Sequence, residues 1–144
     1  MSGSSPARLY ATLVGSALVI AGIVGFFYSA SFETHNHLTS EPLLGILDVN
    51  GWLNLVHIVT GLLGLAAAGY AARTYALALG LVYLLIAIWG FTQTTDGVGD
   101  LLSLIPINTE DNVFHLILGL TGLAAGAATP KSAAPSSSSA AAPR

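Results

Sequence analysis

Four apolar stretches constrain the fold of this chain more than any other feature of its sequence. They lie near Leu9–Ser29, Gly51–Ala72, Thr74–Phe91 and Thr109–Ala128. A hydrocarbon core about 30 Å thick needs roughly 20 helical residues to cross it, and lipid offers the backbone no hydrogen-bond partners. Only 8% of the residues are charged, whereas 53% are hydrophobic. The sequence therefore predicts an all-α membrane protein, folded as a four-transmembrane-helix bundle.

The charged residues divide between the two sides of the predicted membrane. The basic residues lie before the first helix, between the second and third, or after the fourth: Arg8, Arg73, Lys131 and Arg144. The acidic residues lie in the other two loops or at the start of the fourth helix: Glu33, Glu41, Asp48, Asp96, Asp100, Glu110 and Asp111. Because basic residues favour the cytoplasmic side, we expect a multi-pass protein with cytoplasmic N- and C-termini.

The second half of the chain resembles the first. "NLVHIVTGLLGLAAA" at 54–68 matches "NVFHLILGLTGLAAG" at 112–126, and "RLYATLVG" at 8–15 matches "RTYALALG" at 73–80. The match predicts two parallel two-helix repeats, residues 8–72 and 73–128, related by a pseudo-two-fold axis along the membrane normal. The first helix corresponds to the third, so we expect it to be a retained span rather than a cleaved leader. The flanks, 1–7 and 129–144, are expected to be disordered cytoplasmic segments.

A stripe of polar and small residues follows helical spacing in the second helix of each repeat. Its members are Asn54, His57, Gly61 and Gly64 in the first copy, and Asn112, His115, Gly119 and Gly122 in the second. Asn50 and Asn108, at the predicted helix starts, suit N-caps. The histidines then lie about 10 Å further along each helix, where polar groups need partners within the protein. The stripes are therefore predicted to face the interior of the bundle.

Two interpretations of the stripe remain open. In the first, the polar residues bond between helices, and the glycines at 61, 64, 119 and 122 let the helix backbones approach closely. In the second, His57 and His115 bind a single haem b, or another ligand, from opposite sides. Asn54 and Asn112 would then orient the two imidazoles. Close contact of the second and fourth helices through their glycines favours packing, whereas a porphyrin between them needs a wider separation.

Other chemistry has little support in the sequence. The chain has no cysteine, and no arrangement typical of nucleophilic catalysis or phosphate binding is present. Glu33, His35 and His37 in the first outer loop are more typical of a solvated loop than of a metal site. We therefore expect a non-enzymatic protein without a metal. Its expected partners are the lipid bilayer and a membrane protein or second copy of the chain, not nucleic acid; transport by an oligomer is a third possibility.

The chain also resembles a known family in "NLVH" (Asn54–His57), "DNVFH" (Asp111–His115) and the helix "ALALGLVYLLIAIWGF". These segments are similar to a bacterial family of four-span membrane proteins, domain of unknown function 4383. The resemblance covers nearly all of 8–126. It implies a protein of the bacterial cytoplasmic membrane but no activity, so the function has to be inferred from the stripes.

Overall fold

The computed structural model describes residues 4–131 and is mostly helical. Its four α-helices are α1 (Pro6–Gly25), α2 (Gly51–Ala67), α3 (Ala72–Gln93) and α4 (Thr109–Ala128). By length and composition, α1, α3 and α4 can each cross a membrane, whereas α2 is apolar but has only 17 residues. The fold is therefore compatible with a membrane protein.

The ends of the helices follow from local capping rather than from hydropathy. The α4 bounds are those predicted, but α1 begins at Pro6, where Ser5 caps the helix and proline occupies the first turn. Proline suits this position because the first turn leaves its N–H groups unbonded. The sequence prediction assigns Pro6 and Ala7 to the leader, whereas in the structure they form the first turn of α1. The rest of the leader and tail predictions concern mainly residues 1–3 and 132–144, which lie outside the described residues.

Two short β-hairpins make the all-α prediction incomplete. Strands β1 (Glu41–Leu43) and β2 (Leu47–Val49) pair antiparallel before α2, and β3 (Val98–Leu101) and β4 (Ile105–Asn108) pair antiparallel before α4. The turns require left-handed backbone at Leu44 and Gly45 in the first hairpin. In the second hairpin, Leu102 and Ser103 adopt it. Leucine rarely takes this conformation, so the sequence carries little signal for either turn.

The helices pack mainly as two neighbouring pairs. α1 lies against α2 and α3 lies against α4, while smaller contacts join α1 to α3 and to α4. One cluster of buried side chains joins α1 to α3: Ala7, Tyr10, Leu18, Ala76, Leu79 and Tyr83. α2 and α4 thus each face a partner helix and do not share a packed interface with each other.

The outer surfaces of the helices are apolar. Large aliphatic side chains are half exposed or more on every helix: Leu13 is 60% exposed, Leu63 59%, Leu85 57% and Leu120 53%. Such a surface is costly in water, since each buried aliphatic side chain is worth about 1.5–3 kcal/mol relative to exposure. In a membrane these side chains contact lipid instead. On α2 and α4 the buried positions include most of the small and polar residues of the stripes.

Candidate functional site

Asn50 and Asn108 cap α2 and α4, as the sequence predicts. The Asn50 side chain accepts a hydrogen bond from the N–H of Leu53 at 2.9 Å, and the Asn108 side chain accepts one from Asp111 at 2.8 Å. Each cap also donates its amide N–H to the turn of the other hairpin, to the carbonyl of Leu104 or of Ile46, both at 2.7 Å. The caps therefore tie the two hairpins together as well as starting the helices.

One helical turn further along, Asn54 and Asn112 are fully buried and hold each helix to the end of its partner. Asn54 Nδ2 donates to the carbonyl of Ser29 at 2.8 Å, just beyond α1. Asn112 Nδ2 donates to Thr94 Oγ1, also at 2.8 Å and just beyond α3. These bonds are the interhelical contacts that the packing interpretation requires of the asparagines.

Glycine on the facing helix makes room for each asparagine. A Cβ atom added to Gly25 would overlap the side-chain oxygen of Asn54, and one added to Gly90 would overlap that of Asn112. Even so, Asn54 Oδ1 and Asn112 Oδ1 are buried without a hydrogen-bond partner within residues 4–131. Each amide thus uses its donor and leaves its acceptor free.

The two histidines face the protein interior but make no bond through Nδ1. His57 Nδ1 and His115 Nδ1 are buried and have no partner among the described residues. The His115 ring stacks on the ring of Tyr83, with centroids 5.1 Å apart and planes 17° from parallel. A buried polar atom without a partner costs about 1–3 kcal/mol. The histidines are therefore the stripe residues that packing explains least.

The stripe glycines lie at helix contacts, but with α1 and α3 instead of with each other. A Cβ atom on Gly61 would lie 2.6 Å from the Gly15 carbonyl oxygen, and one on Gly119 would lie 3.1 Å from that of Gly80. Both distances are below ordinary van der Waals contact. Closure of α2 onto α4 through their glycines, the geometry expected for packing, is therefore not the arrangement in this fold.

Two tyrosines connect the helix pairs. Tyr10 Oη, on α1, donates to the carbonyl of Leu118 on α4 at 2.8 Å, and Tyr75 Oη, on α3, donates to that of Thr60 on α2 at 3.0 Å. Each ring also occupies the space over a stripe glycine, Tyr10 over Gly122 and Tyr75 over Gly64. Tyrosine near a span end is typical of the membrane interface, but here the hydroxyls bind helix carbonyls.

The hairpin end contains one polar contact with no counterpart in the other half. Asp111 Oδ2 accepts hydrogen bonds from the N–H of Asn108 at 3.0 Å and from that of Asp48 at 3.1 Å. In the sequence match, Leu53 corresponds to Asp111 and Pro106 to Asp48. Proline has no N–H to satisfy, and leucine has no acceptor. The donor and the acceptor of this contact are therefore both replaced at the equivalent positions of the repeat.

Asp48, in β2, is a titratable group whose pKa is shifted by this environment. Burial raises the pKa of its carboxyl, the negative charge of Glu110 raises it further, and a hydrogen bond with the Asn108 side chain opposes both effects. The folded chain therefore holds the pKa of the Asp48 carboxyl above its ordinary value.

The outer-loop residues do not assemble a site. His35 and His37 form a single exposed 3-10 turn, in which His35 Nδ1 contacts the hydroxyl of Thr34 at 3.2 Å. Across residues 4–131, no three histidine or carboxylate side chains are grouped as metal ligands. Glu33 is exposed nearby and bonds through its backbone N–H to Ser31.

A comparison with known protein families finds a match, and it covers all four helices. The profile described as "Domain of unknown function (DUF4383)" matches residues 8–128, from the start of α1 to the end of α4. The chain belongs to this family. No curated protein and no solved structure matches it. Membership in DUF4383 carries no activity, so the function of the stripes depends on their geometry.

Several residues that build the site were not singled out in the sequence. They are the glycines of α1 and α3 and the residues that bind the stripe: Gly15, Gly25, Gly80, Gly90, Ser29, Thr94, Tyr10 and Tyr75. Their signal was present, because "RLYATLVG" and "RTYALALG" place a tyrosine and a glycine at matching positions. The similarity indicated duplication, but not which helix each residue contacts.

Proposed function

We propose that this chain is a non-enzymatic membrane protein: a four-helix bundle of the bacterial cytoplasmic membrane that serves as a packing or partner-binding unit. The observation that carries this proposal is the set of matched contacts on the stripes. Each half contributes one asparagine amide and one tyrosine hydroxyl that donate a hydrogen bond at 2.8–3.0 Å. These residues hold the described helices together.

The proposal includes a tandem duplication, with a two-fold axis along the membrane normal. Its support is that contacts between the halves are reciprocal. Tyr10 of the first half binds the second at Leu118, and Tyr75 of the second binds the first at Thr60. Thr60 and Leu118 are equivalent positions in the matched segments. Exchange of equivalent partners is what a two-fold relation requires.

We propose that α2 is the fourth span despite its length. Its 17 residues rise about 26 Å, close to the roughly 30 Å of a hydrocarbon core. Its Gly61 contacts Gly15 at the middle of α1, and its Asn54 contacts Gly25 at the end of α1. Residues 68–71 then form the turn into α3. A helix that follows its partner over this distance occupies the same layer of the membrane.

The proposed topology places both termini and all basic residues in the cytoplasm. We expect a cytoplasm-dependent reporter, such as green fluorescent protein, to be active when fused after Arg144, because basic loops are retained on that side. The matched control carries the same reporter in the loop after Thr34, where it should be inactive. Activity only in the loop fusion would reverse the orientation.

A ligand bound by the histidines is the second candidate, and the four unpartnered atoms of the stripes favour it. Asn54 Oδ1 and Asn112 Oδ1 are acceptors, whereas His57 Nδ1 and His115 Nδ1 can donate. A small polar ligand can satisfy both kinds of atom. Haem fits this packing less well, because Tyr83 covers the His115 ring and belongs with Leu18 to the buried cluster between α1 and α3. A porphyrin reaching both imidazoles would displace those side chains.

Leucine at both histidine positions separates the two candidates. If the stripe only packs, the His57→Leu, His115→Leu variant should be at least as stable as wild type, because two unpartnered buried atoms are removed. The matched variant Asn54→Leu, Asn112→Leu loses two bonds and should be less stable by about 1–3 kcal/mol. The measurements are unfolding in mixed detergent micelles and absorption spectra before and after dithionite.

The absorption spectra can contradict the packing proposal. A wild-type Soret band that shifts on reduction and disappears in the histidine variant would establish haem binding and contradict the packing proposal. A stability loss in the histidine variant equal to that of the asparagine variant, without colour, would instead favour a colourless ligand.

A further inference from the structure

The end of the molecule opposite the hairpins contains an open cavity of about 610 Å³ where all four helices begin or end. We call it the basic cavity. Three of its lining residues are cations from separate parts of the chain: Arg8 on α1, Arg73 on α3 and Lys131 after α4. Among residues 4–131, no aspartate or glutamate lines it. The three positive charges are therefore collected around one space with no side-chain carboxylate of the described residues beside them.

A hydrogen bond in the cavity wall orients Arg73 through Nε and leaves the terminal nitrogens of its guanidinium available. Arg73 Nε donates to the carbonyl of Thr129 at 2.9 Å, while Thr129 Oγ1 accepts from the N–H of Ala7 at 2.9 Å. This link joins the start of α1, the start of α3 and the end of α4. It orients the guanidinium without using its terminal nitrogens, which are the groups that bind phosphate in a bidentate manner.

The backbone adds donors to the same wall. α3 begins after Ala71, which has no side chain able to cap the first turn. α1, in contrast, is capped by Ser5 and Thr129. The free N–H groups of an uncapped helix start carry a partial positive charge. At the basic cavity they supplement the three cations.

We propose that the basic cavity binds the phosphate group of an anionic ligand. Guanidinium, ammonium and backbone N–H donors around one space suit a phosphate, and the cavity lies at the end of the proposed spans, at headgroup depth. Basic pockets between membrane helices bind anionic lipid headgroups in this way. The phosphodiester of an anionic phospholipid is one source of this chemistry, and inorganic phosphate is another. The inference uses the proposed membrane placement but does not depend on the function of the histidine stripes.

The test measures binding of three probes to the full-length protein in detergent: phosphatidylglycerol, phosphatidylcholine with the same acyl chains, and inorganic phosphate. Native mass spectrometry reports retained lipid, and thermal unfolding reports stabilisation. We expect phosphatidylglycerol to be retained and to raise Tm, while phosphatidylcholine does neither. Arg8→Gln should weaken phosphatidylglycerol binding by about tenfold, since charge-assisted hydrogen bonds are the strong ones.

Gln93→Glu is the matched control, because it changes the net charge by the same amount at an exposed position on the other end of α3. It should leave lipid binding unchanged. Arg73→Gln is a second variant, but it also removes the hydrogen bond to Thr129. Arg73→Lys keeps the positive charge while removing the guanidinium, so it separates the effect of the charge from that of this bond. Arg8 makes no side-chain hydrogen bond within residues 4–131, so its variant is expected to fold.

Each outcome decides the proposal. If inorganic phosphate alone stabilises the protein, and Arg8→Gln removes that effect, the phosphate site stands and its source is soluble. If Arg8→Gln and Gln93→Glu weaken lipid binding equally, the effect is one of net charge and the proposal is wrong. Equal retention of both lipids, with no response to phosphate, would also overturn it.

Discussion

Alanine at Gly61 is expected to lower the free energy of unfolding by about 1–3 kcal/mol, the usual cost of overpacking a close contact. The new Cβ atom would lie 2.6 Å from the carbonyl oxygen of Gly15 and 2.8 Å from the backbone nitrogen of Val19. Both neighbours are backbone atoms of α1, so no side-chain rotation relieves the overlap. The two helices have to separate, and contacts along the whole pair weaken.

The other helix pair provides an independent copy of this test. A Cβ atom on Gly119 would lie 2.7 Å from the backbone nitrogen of Leu84 on α3. Because the two sites lie in different pairs, the effects of Gly61→Ala and Gly119→Ala should add approximately. Unfolding in mixed detergent micelles, followed by far-ultraviolet circular dichroism, measures both single variants and the double variant.

Gly69→Ala is the matched control. Gly69 lies in the turn between α2 and α3, and a Cβ atom there meets nothing within 4 Å. Because alanine reduces the conformational entropy of the unfolded chain, the free energy of unfolding should equal that of wild type or be slightly higher. If Gly61→Ala behaved like Gly69→Ala, the close approach of α1 and α2 would be contradicted.

Helical periodicity determines which residues of a helix share a face, and most residues of the stripes are buried. Periodicity does not determine which neighbour that face meets. The packing interpretation places the glycines of α2 against α4, yet Gly61 meets Gly15 on α1 and Gly64 meets Tyr75 on α3. Both helices carry glycines at compatible spacing, so either pairing satisfies the pattern. The hydrogen bond from Asn54 to the carbonyl of Ser29, just beyond α1, is a contact that distinguishes the two pairings.

The hairpins show a different limit. Their turns place leucine at positive φ, at Leu44 and Leu102, where sequence rules expect glycine or asparagine. Contacts between the hairpins stabilise these turns, because each helix cap bonds a carbonyl of the opposite turn. The conformation is therefore imposed by tertiary contacts that local sequence does not encode. Helix caps, in contrast, are local, and Asn50 and Asn108 were identified correctly.

Asp111→Ala is expected to lower the free energy of unfolding by about 2–6 kcal/mol, which is more than Gly61→Ala. The carboxylate accepts hydrogen bonds from Asn108 and Asp48, and Asp111 is only 5% exposed. Its removal leaves two backbone donors without a partner, at about 1–3 kcal/mol each. Glu110→Ala is the control, because Glu110 lies in the same first turn of α4 but is exposed. It should cost only a few tenths of a kcal/mol through the helix dipole.

The first half of the chain indicates how this loss can be repaired. In the sequence match, Leu53 of the first half corresponds to Asp111, and Pro106 of the second half corresponds to Asp48. Asp48→Pro copies that solution, since it removes the N–H that Asp111 would have bonded and with it a carboxyl whose ionised form the fold disfavours. The double variant Asp48→Pro, Asp111→Ala should therefore be more stable than Asp111→Ala alone, although Asn108 still lacks its acceptor. Strictly additive effects in the double-mutant cycle would show that Asp48 and Asp111 are not coupled.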